Sequence, residues 1–269
     1  MEKFSVLMSV YKSEKPSYLD VALESVCENQ SVLPTEVVLV KDGPLSNKLD
    51  QIIDKWGNRF PRLVLLEKEV NEGLASALND GINLCSFELV FRMDTDDISM
   101  PNRFEKQLEF MRSNPGVDVC GSYIQEFEES PEDIVSERTV PQSHDEIIKF
   151  SRSRNPLSHP SVCFRKEAVL LAGSYPIVYP EDYLLWIKMI QNGSEMANIR
   201  ESLVKMRVGS DFIKRRGWTF LKGELEIYLY MYRTSYISLF ELIFNVVGRS
   251  VVRLAPEFVK LWLYKKARK

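Results

Sequence analysis

The sequence predicts an α/β protein built on a mainly parallel sheet, and three observations carry that prediction. Short runs rich in β-branched residues alternate with stretches whose apolar residues fall at helical spacing. The strand runs are apolar almost throughout, as expected of strands covered on both faces. Strand and helix follow one another at lengths that make right-handed βαβ units.

The elements come in order. "FSVLMSVY" (4–11) reads as a buried strand. "SYLDVALESVCENQ" (17–30) sets Leu19, Ala22, Leu23, Val26 and Cys27 on one helical face. "TEVVLVKDG" (35–43) is a second strand ending in Asp-Gly, a turn signal. A helix over 46–57, a strand over 62–69, a helix over 73–85 and a strand over 87–94 complete the first half. The helix "PNRFEKQLEFMRSNP" and the strand 117–127 follow, then an acidic stretch, 128–137, that reads as a surface loop. Residues 144–173 hold a helix, a Pro-bounded irregular segment, a strand and another helix. The stretch 179–193 begins a further helix with Glu181 and Asp182 in its first turn.

Composition narrows the functional classes. The chain of 269 residues has an apolar fraction of 45% and a net charge of -3, ordinary for a globular protein and unlike a general nucleic-acid binder. Cys27, Cys85, Cys120 and Cys163 show no metal-like spacing with His144 or His159 and read as small core residues in a reducing compartment. The opening "MEKFSVLMSVYKSEK" lacks a cleavage site and reads as a strand rather than a signal peptide. No run approaches the ~20 apolar residues of a spanning helix.

In a parallel sheet, ligands bind beyond the carboxyl ends of the strands. Tyr11, Asp42 and the acidic run Asp94, Asp96 and Asp97 all fall there. The aspartates would repel one another unless a cation or hydrogen-bond donors meet them. A helix cap before Pro101 would also account for them. Neither GxGxxG nor GxxxxGK[ST] is present, so no glycine-rich phosphate loop is expected.

The segments "SVLMSVYKSEKPSYLDVALESVCENQSVLPTEVVLVKDG", "NEGLASALNDGI", "RMDTDD", "NPLSHPSVCFRK" and "PEDYLLWIKMIQNG" resemble, in order and spacing, the family 2 glycosyltransferases, which are inverting enzymes of the GT-A fold. The resemblance covers roughly residues 4–210 and is closest to bacterial enzymes that build O-antigen or capsule repeat units. It implies a GT-A (Rossmann-like) mixed, mainly parallel central sheet flanked by helices, with a C-terminal helical extension. A catalytic domain would span 1–215, with a nucleotide-sugar half (1–100) and an acceptor half (101–215).

The resemblance also implies roles. Asp94 and Asp96, extended by Asp97, match the DXD motif that holds Mn²⁺ or Mg²⁺, with Asp96 the first choice as ligand and the division among the three left open. Val10 and Tyr11 would face the uracil, and Asp42 would accept from its N3–H. Asn71, Gly73 and Asn79 match the "N-x-G…N-x-G" segment facing the nucleotide, although Leu78 stands where many members carry arginine. Asp182, with Glu181 second, matches the base that takes the acceptor's proton. His159 would line the acceptor or donor-phosphate site, and Arg165 and Arg207 are candidates for anion contacts.

The expected donor is a UDP-hexose, galactose ahead of glucose. The expected acceptor is an amino sugar on undecaprenyl diphosphate, joined through a β-linkage at the cytosolic membrane surface. Residues 216–269 carry ten Lys or Arg against four Glu, a net +6, with interleaved aromatics. "YISLFELIFNVVGRSVVRL" and "PEFVKLWLYKKARK" read there as amphipathic helices that meet an anionic membrane, or else the catalytic domain or a sister subunit in a homodimer. The acidic catalytic half argues against RNA. A nucleotidyltransferase is a competing reading, weakened by the absence of a glycine-rich basic N-terminal loop, as is a non-catalytic nucleotide-sugar-binding module.

Overall fold

The computed structural model describes residues 2–209 and 218–254. The first half is the predicted alternation: β1 (Phe4–Val10), α1 (Pro16–Cys27), β2 (Glu36–Lys41), α2 (Asn47–Arg59), β3 (Leu63–Glu67), α3 (Leu74–Leu84) and β4 (Leu89–Arg92). Next come β5 (Ile98–Ser99), α4 (Arg103–Ser113), β6 (Val117–Phe127), β7 (Ile134–Arg138) and α5 (His144–Ser151). A 3₁₀ turn over His159–Ser161 leads into β8 (Cys163–Arg165), α6 (Lys166–Leu171), α7 (Glu181–Gln191), β9 (Glu195–Arg207), α8 (Trp218–Arg233) and α9 (Leu239–Leu254).

Among the described residues the strands form one mixed, mostly parallel sheet in the order β3-β2-β1-β4-β8-β6-β9-β5, with β7 on β6. β1 pairs in parallel with β2 and β4, and β2 with β3. β8 runs antiparallel to both β4 and β6, and β6 then pairs in parallel with β9 along its whole length. Three features depart from the sequence reading, the first being the two-residue β5, which pairs antiparallel with β9. Part of the acidic stretch 128–137 is not a loop, because β7 pairs antiparallel with β6. β9 lies where the hydrophobic pattern predicted no element; its burial is irregular along the strand, so no period of 2 marks it.

Both faces of the sheet are covered, which explains the unbroken apolar strands. On β1, Phe4, Val6, Met8 and Val10 join the core under α1, α2 and α4, while Leu7 joins the core under α3 and α7. Phe4, Phe91 and Phe104 interlock with ring centroids 4.8–5.2 Å apart, tilted or edge-on. A buried polar clasp fixes α4 to the centre of the sheet. Arg103 donates to Arg92 O (2.8 Å) and Gln107 Oε1 (2.9 Å), and Gln107 donates to Cys120 O (2.8 Å) and Ser161 O (2.9 Å). All four cysteines are free and buried, and burial pushes the thiols of Cys27, Cys85 and Cys120 up to about 12.

The helices α8 and α9 pack on α7 through a third apolar cluster that includes Tyr183, Ile187, Tyr228 and Leu242. The basic helix expected over 256–269 lies outside the described residues. Gly223 of α8 passes against the backbone of Tyr179, where a Cβ would collide with the carbonyl. Backbone cannot yield as a side-chain tip can. Gly223→Ala is therefore expected to cost about 1–3 kcal/mol by overpacking, roughly 2–4 °C in Tm per kcal/mol, measured by thermal unfolding.

Candidate active site

The first part of the site forms where β1 and β2 end. Val10 is buried and its carbonyl accepts from Asp42 N (2.8 Å), while the Tyr11 ring is exposed. Asp42 is buried, and its carboxylate gathers three donors: Asn71 Nδ2 (2.8 Å), Glu72 N (2.9 Å) and Gly73 N (3.0 Å). Gly43 makes this possible. Its φ of +84° suits glycine, and a Cβ there would sit 2.6 Å from Asn71 N. Val10, Asp42, Asn71 and Gly73 thus meet at the ends of β1 and β2, with Tyr11 next to Val10 along the chain. Asn79 does not join them: its amide accepts from Tyr175 N (2.8 Å) and donates to Tyr175 O (2.9 Å).

The acidic loop after β4 forms the second part. Asp94, Asp96 and Asp97 bring carboxylate oxygens within 4.8 Å of one another. Thr95 anchors the loop by donating to Glu14 Oε2 (2.7 Å), and Arg207 anchors it from β9. Arg207 N donates to Asp97 Oδ1 (2.8 Å) and Arg207 Nε to Asp96 O (3.2 Å). Its guanidinium lies between the Tyr18 and Phe127 rings, 3.8 and 4.5 Å from their centroids. Arg165, by contrast, pairs with Glu88 and donates to Val117 O (3.1 Å) at the amino end of β4.

The electrostatics of this loop suit a cation. Asp97 is buried, and its Oδ2 has no hydrogen-bond partner among the described residues. Burial first, and then the charges of Asp96 and Asp94, push its carboxyl well above the usual range. Three clustered oxygen ligands with one orphaned buried oxygen fit a hard divalent ion. None of the three aspartates caps α4, whose N-cap residue is Asn102.

The third part opens α7. Asp182 is buried with both oxygens occupied: Oδ2 accepts from Asn155 Nδ2 (2.6 Å) and Oδ1 from Tyr183 N (2.8 Å). Burial pushes its carboxyl up, and these two hydrogen bonds oppose the rise. Glu181 is buried too, and burial followed by the Asp182 charge raises its carboxyl to about 7. His159 stands behind Glu181, with Nδ1 at 3.9 Å from Oε1 and Nε2 at 2.9 Å from Tyr175 Oη. Burial and then the Arg92 charge hold the imidazole well below its usual pKa, so it is neutral and the Glu181 contact is not an ion pair. Asn79, Tyr175, His159 and Glu181 therefore form one partly buried chain of contacts.

Arg92 joins the second and third parts, and sequence reasoning missed it. Its side chain is fully buried at the end of β4, and Nη2 pairs with Asp94. Its Nε and Nη1 have no hydrogen-bond partner among the described residues, and its charge lowers the pKa of both Glu181 and Asp182. A signal was available: one arginine inside the apolar run "LVFRMD" is costly to bury without a purpose. Asn155 was also missed, although it lies inside the quoted segment "NPLSHPSVCFRK".

Comparison with known proteins shows the family to which the chain belongs. Residues 5–171 match the profile described as "Glycosyl transferase family 2". The chain is 42% identical over 273 aligned residues to the amylovoran biosynthesis glycosyltransferase AmsE of Erwinia amylovora, covering 99% of each chain. It is 40% identical to the UDP-Gal:alpha-D-GlcNAc-diphosphoundecaprenol beta-1,3-galactosyltransferase of Escherichia coli, covering 98% of this chain and 96% of that one. The fold matches that of a mannosyltransferase from Pyrobaculum calidifontis, solved with GDP-Man and Mn²⁺, at a TM-score of 0.67 and 14% identity. That alignment covers 98% of this chain and 79% of the other.

Asp42→Ala should strand the amide of Asn71 and the N–H groups of Glu72 and Gly73. Charge-assisted hydrogen bonds of this kind are worth about 1.5–3 kcal/mol each and do not add fully. The expected result is a loss of roughly 2–4 kcal/mol in urea unfolding, with faster hydrogen exchange at the Glu72 and Gly73 amides.

Proposed function

As a member of glycosyl transferase family 2, this chain is a glycosyltransferase, and we propose that it transfers a hexose from a UDP-sugar to GlcNAc or GalNAc on a lipid diphosphate. Galactose is favoured ahead of glucose, and the new bond is a β-linkage in a surface-polysaccharide repeat unit. The observation that carries this reading is the meeting, across Arg92, of a cation-type aspartate cluster and a buried carboxylate pair at one sheet edge. Such an arrangement serves a reaction with a diphosphate leaving group on one side and a proton to remove on the other. The choice of UDP-galactose and lipid-diphosphate acceptor is supported by the activity for which the Escherichia coli relative is named.

Each residue has work in this scheme. Val10 and Tyr11 border the uracil. Asp42 has one acceptor position left after its three internal donors, enough for the uracil N3–H. Asn71 and Gly73 shape that wall, and Asn79 acts at one remove by fixing Tyr175 behind His159. Asp94, Asp96 and Asp97 would hold Mn²⁺ or Mg²⁺, which when bound supplies Lewis-acid charge to the leaving diphosphate. Asp182 takes the proton from the acceptor hydroxyl. Asn155 and the Tyr183 N–H stabilise its anionic form, the form a base needs. Glu181, held near 7, is the second candidate.

Transfer from UDP-galactose to a GlcNAc-diphosphate-lipid acceptor tests this reading. EDTA should abolish turnover and added Mn²⁺ should restore it. Asp96→Ala and Asp182→Ala should each lower kcat by roughly 10²–10⁴-fold, with UDP affinity kept in Asp182→Ala. Metal-independent transfer, or full rate in Asp182→Ala, would refute the assigned roles.

The pH dependence follows from the electrostatics. A base acts only when deprotonated, so kcat/KM should fall as pH drops through the pKa of the carboxylate pair. Asn155 donates to the charged form of Asp182 and lowers its pKa. Removing that donor raises the pKa, and the acid limb of the kcat/KM profile in Asn155→Ala should therefore move to higher pH. An unmoved limb would take Asp182 out of the base role.

A further inference from the structure

The helix α9 has two faces of opposite character. Inward, Leu242 and Val246 join the apolar cluster with α7 and α8. Outward, Leu239, Phe240, Ile243, Phe244, Val247 and Val251 are all more than half exposed. Their spacing places them along one stripe of the helix, about 18 Å long at 1.5 Å per residue. Isolated exposed apolar residues need no explanation, but a continuous stripe containing two phenylalanines does.

We propose that this stripe docks the protein on an anionic lipid bilayer. Charge favours that occupant. The sequence after Val251 carries Arg253, Lys260, Lys265, Lys266, Arg268 and Lys269 against a single Glu257, in a chain whose net charge is -3. An apolar helix face followed in the sequence by concentrated positive charge matches an anionic interface, where burial of the face and attraction to headgroups add. A second copy fits less well, because a stable dimer engages roughly 20–30 residues a side and one stripe of six falls short.

The inward face of α9 connects the docking surface to the site. Glu241 pairs with Arg152 (2.6 and 2.8 Å), Asn245 donates to Arg152 O (2.8 Å), and Arg249 donates to Ser153 O (2.7 Å). Two residues further on, Asn155 holds Asp182. The segment that orients the proposed base is thus clamped by the helix that faces the lipid. Resting on the lipid-linked acceptor proposed above, this puts the bilayer beside the group that must meet the acceptor hydroxyl. The docking surface itself does not depend on that reading.

Sedimentation of the full chain with vesicles provides the test. Binding is expected to phosphatidylglycerol-containing vesicles and to be much weaker to pure phosphatidylcholine. The double variant Phe240→Asp/Phe244→Asp, altered only at exposed positions, should bind at least about tenfold more weakly. Its Tm and its transfer to a short-chain soluble acceptor should stay as in the parent. Absent vesicle binding, equal binding to both lipids, or a variant that binds like the parent would overturn the proposal. So would a dimer in solution that the double variant dissociates, since the stripe would then belong to a second copy. Vesicle binding lost in the variant, with no transfer from any sugar nucleotide by the parent, would sink the proposed reaction and leave the docking surface standing.

Discussion

The buried guanidinium of Arg92 lets this protein collect negative charge at one edge of its sheet. Arg92 lies between Asp94 on one side and Glu181 and Asp182 on the other, with Asp97 buried close by. Buried carboxylates without compensation cost several kcal/mol each and would protonate instead. Arg92 offsets that penalty for the α7 pair. The rise of Glu181 to about 7 shows that the compensation is partial. In the aspartate loop, burial and the charges of Asp96 and Asp94 push the Asp97 carboxyl well above the usual range, an imbalance that a divalent ion would relieve.

The rest of the fold holds these charges in place. Arg103, itself buried, grips the carbonyl of Arg92 and so fixes the strand end from which the acidic loop departs. Arg207 does the same from the far side through the Asp97 carboxylate and the Asp96 carbonyl, with its own charge placed over two rings. The chain from Asn79 through Tyr175 to His159 backs Glu181 with neutral groups only. The α7 pair thus has neutral groups behind Glu181, while the charges of Arg92 and Arg138 lower the pKa of Asp182.

What the sequence revealed follows from what each signal encodes. β1 to β4 were legible because both faces are covered, so the strands are continuous apolar runs separated by helical periods. Asp42 and the aspartate loop were legible because polar residues at strand ends stand out against such runs. β7 and β9 were not: β7 is short, acidic and largely exposed, and β9 pairs with a strand far back in the chain and has irregular burial. Asn79 and Asn155 show the limit for side chains. Both are ordinary amides by type, and only the packing of distant segments sets one against Tyr175 and the other against Asp182. Arg92 was readable in principle, because burying a charge inside a strand always requires a partner.

The three hydrogen bonds that the Asp42 carboxylate accepts have a consequence for binding thermodynamics. The turn Asn71–Gly73 is already tied to the end of β2 by three hydrogen bonds before any ligand arrives. Fixing a backbone residue costs about 1–2 kcal/mol of conformational entropy, and here that cost falls on folding rather than on association. A nucleotide reaching this wall would meet a rigid surface. The heat of binding would then report contacts made, with little enthalpy–entropy exchange from an ordering loop.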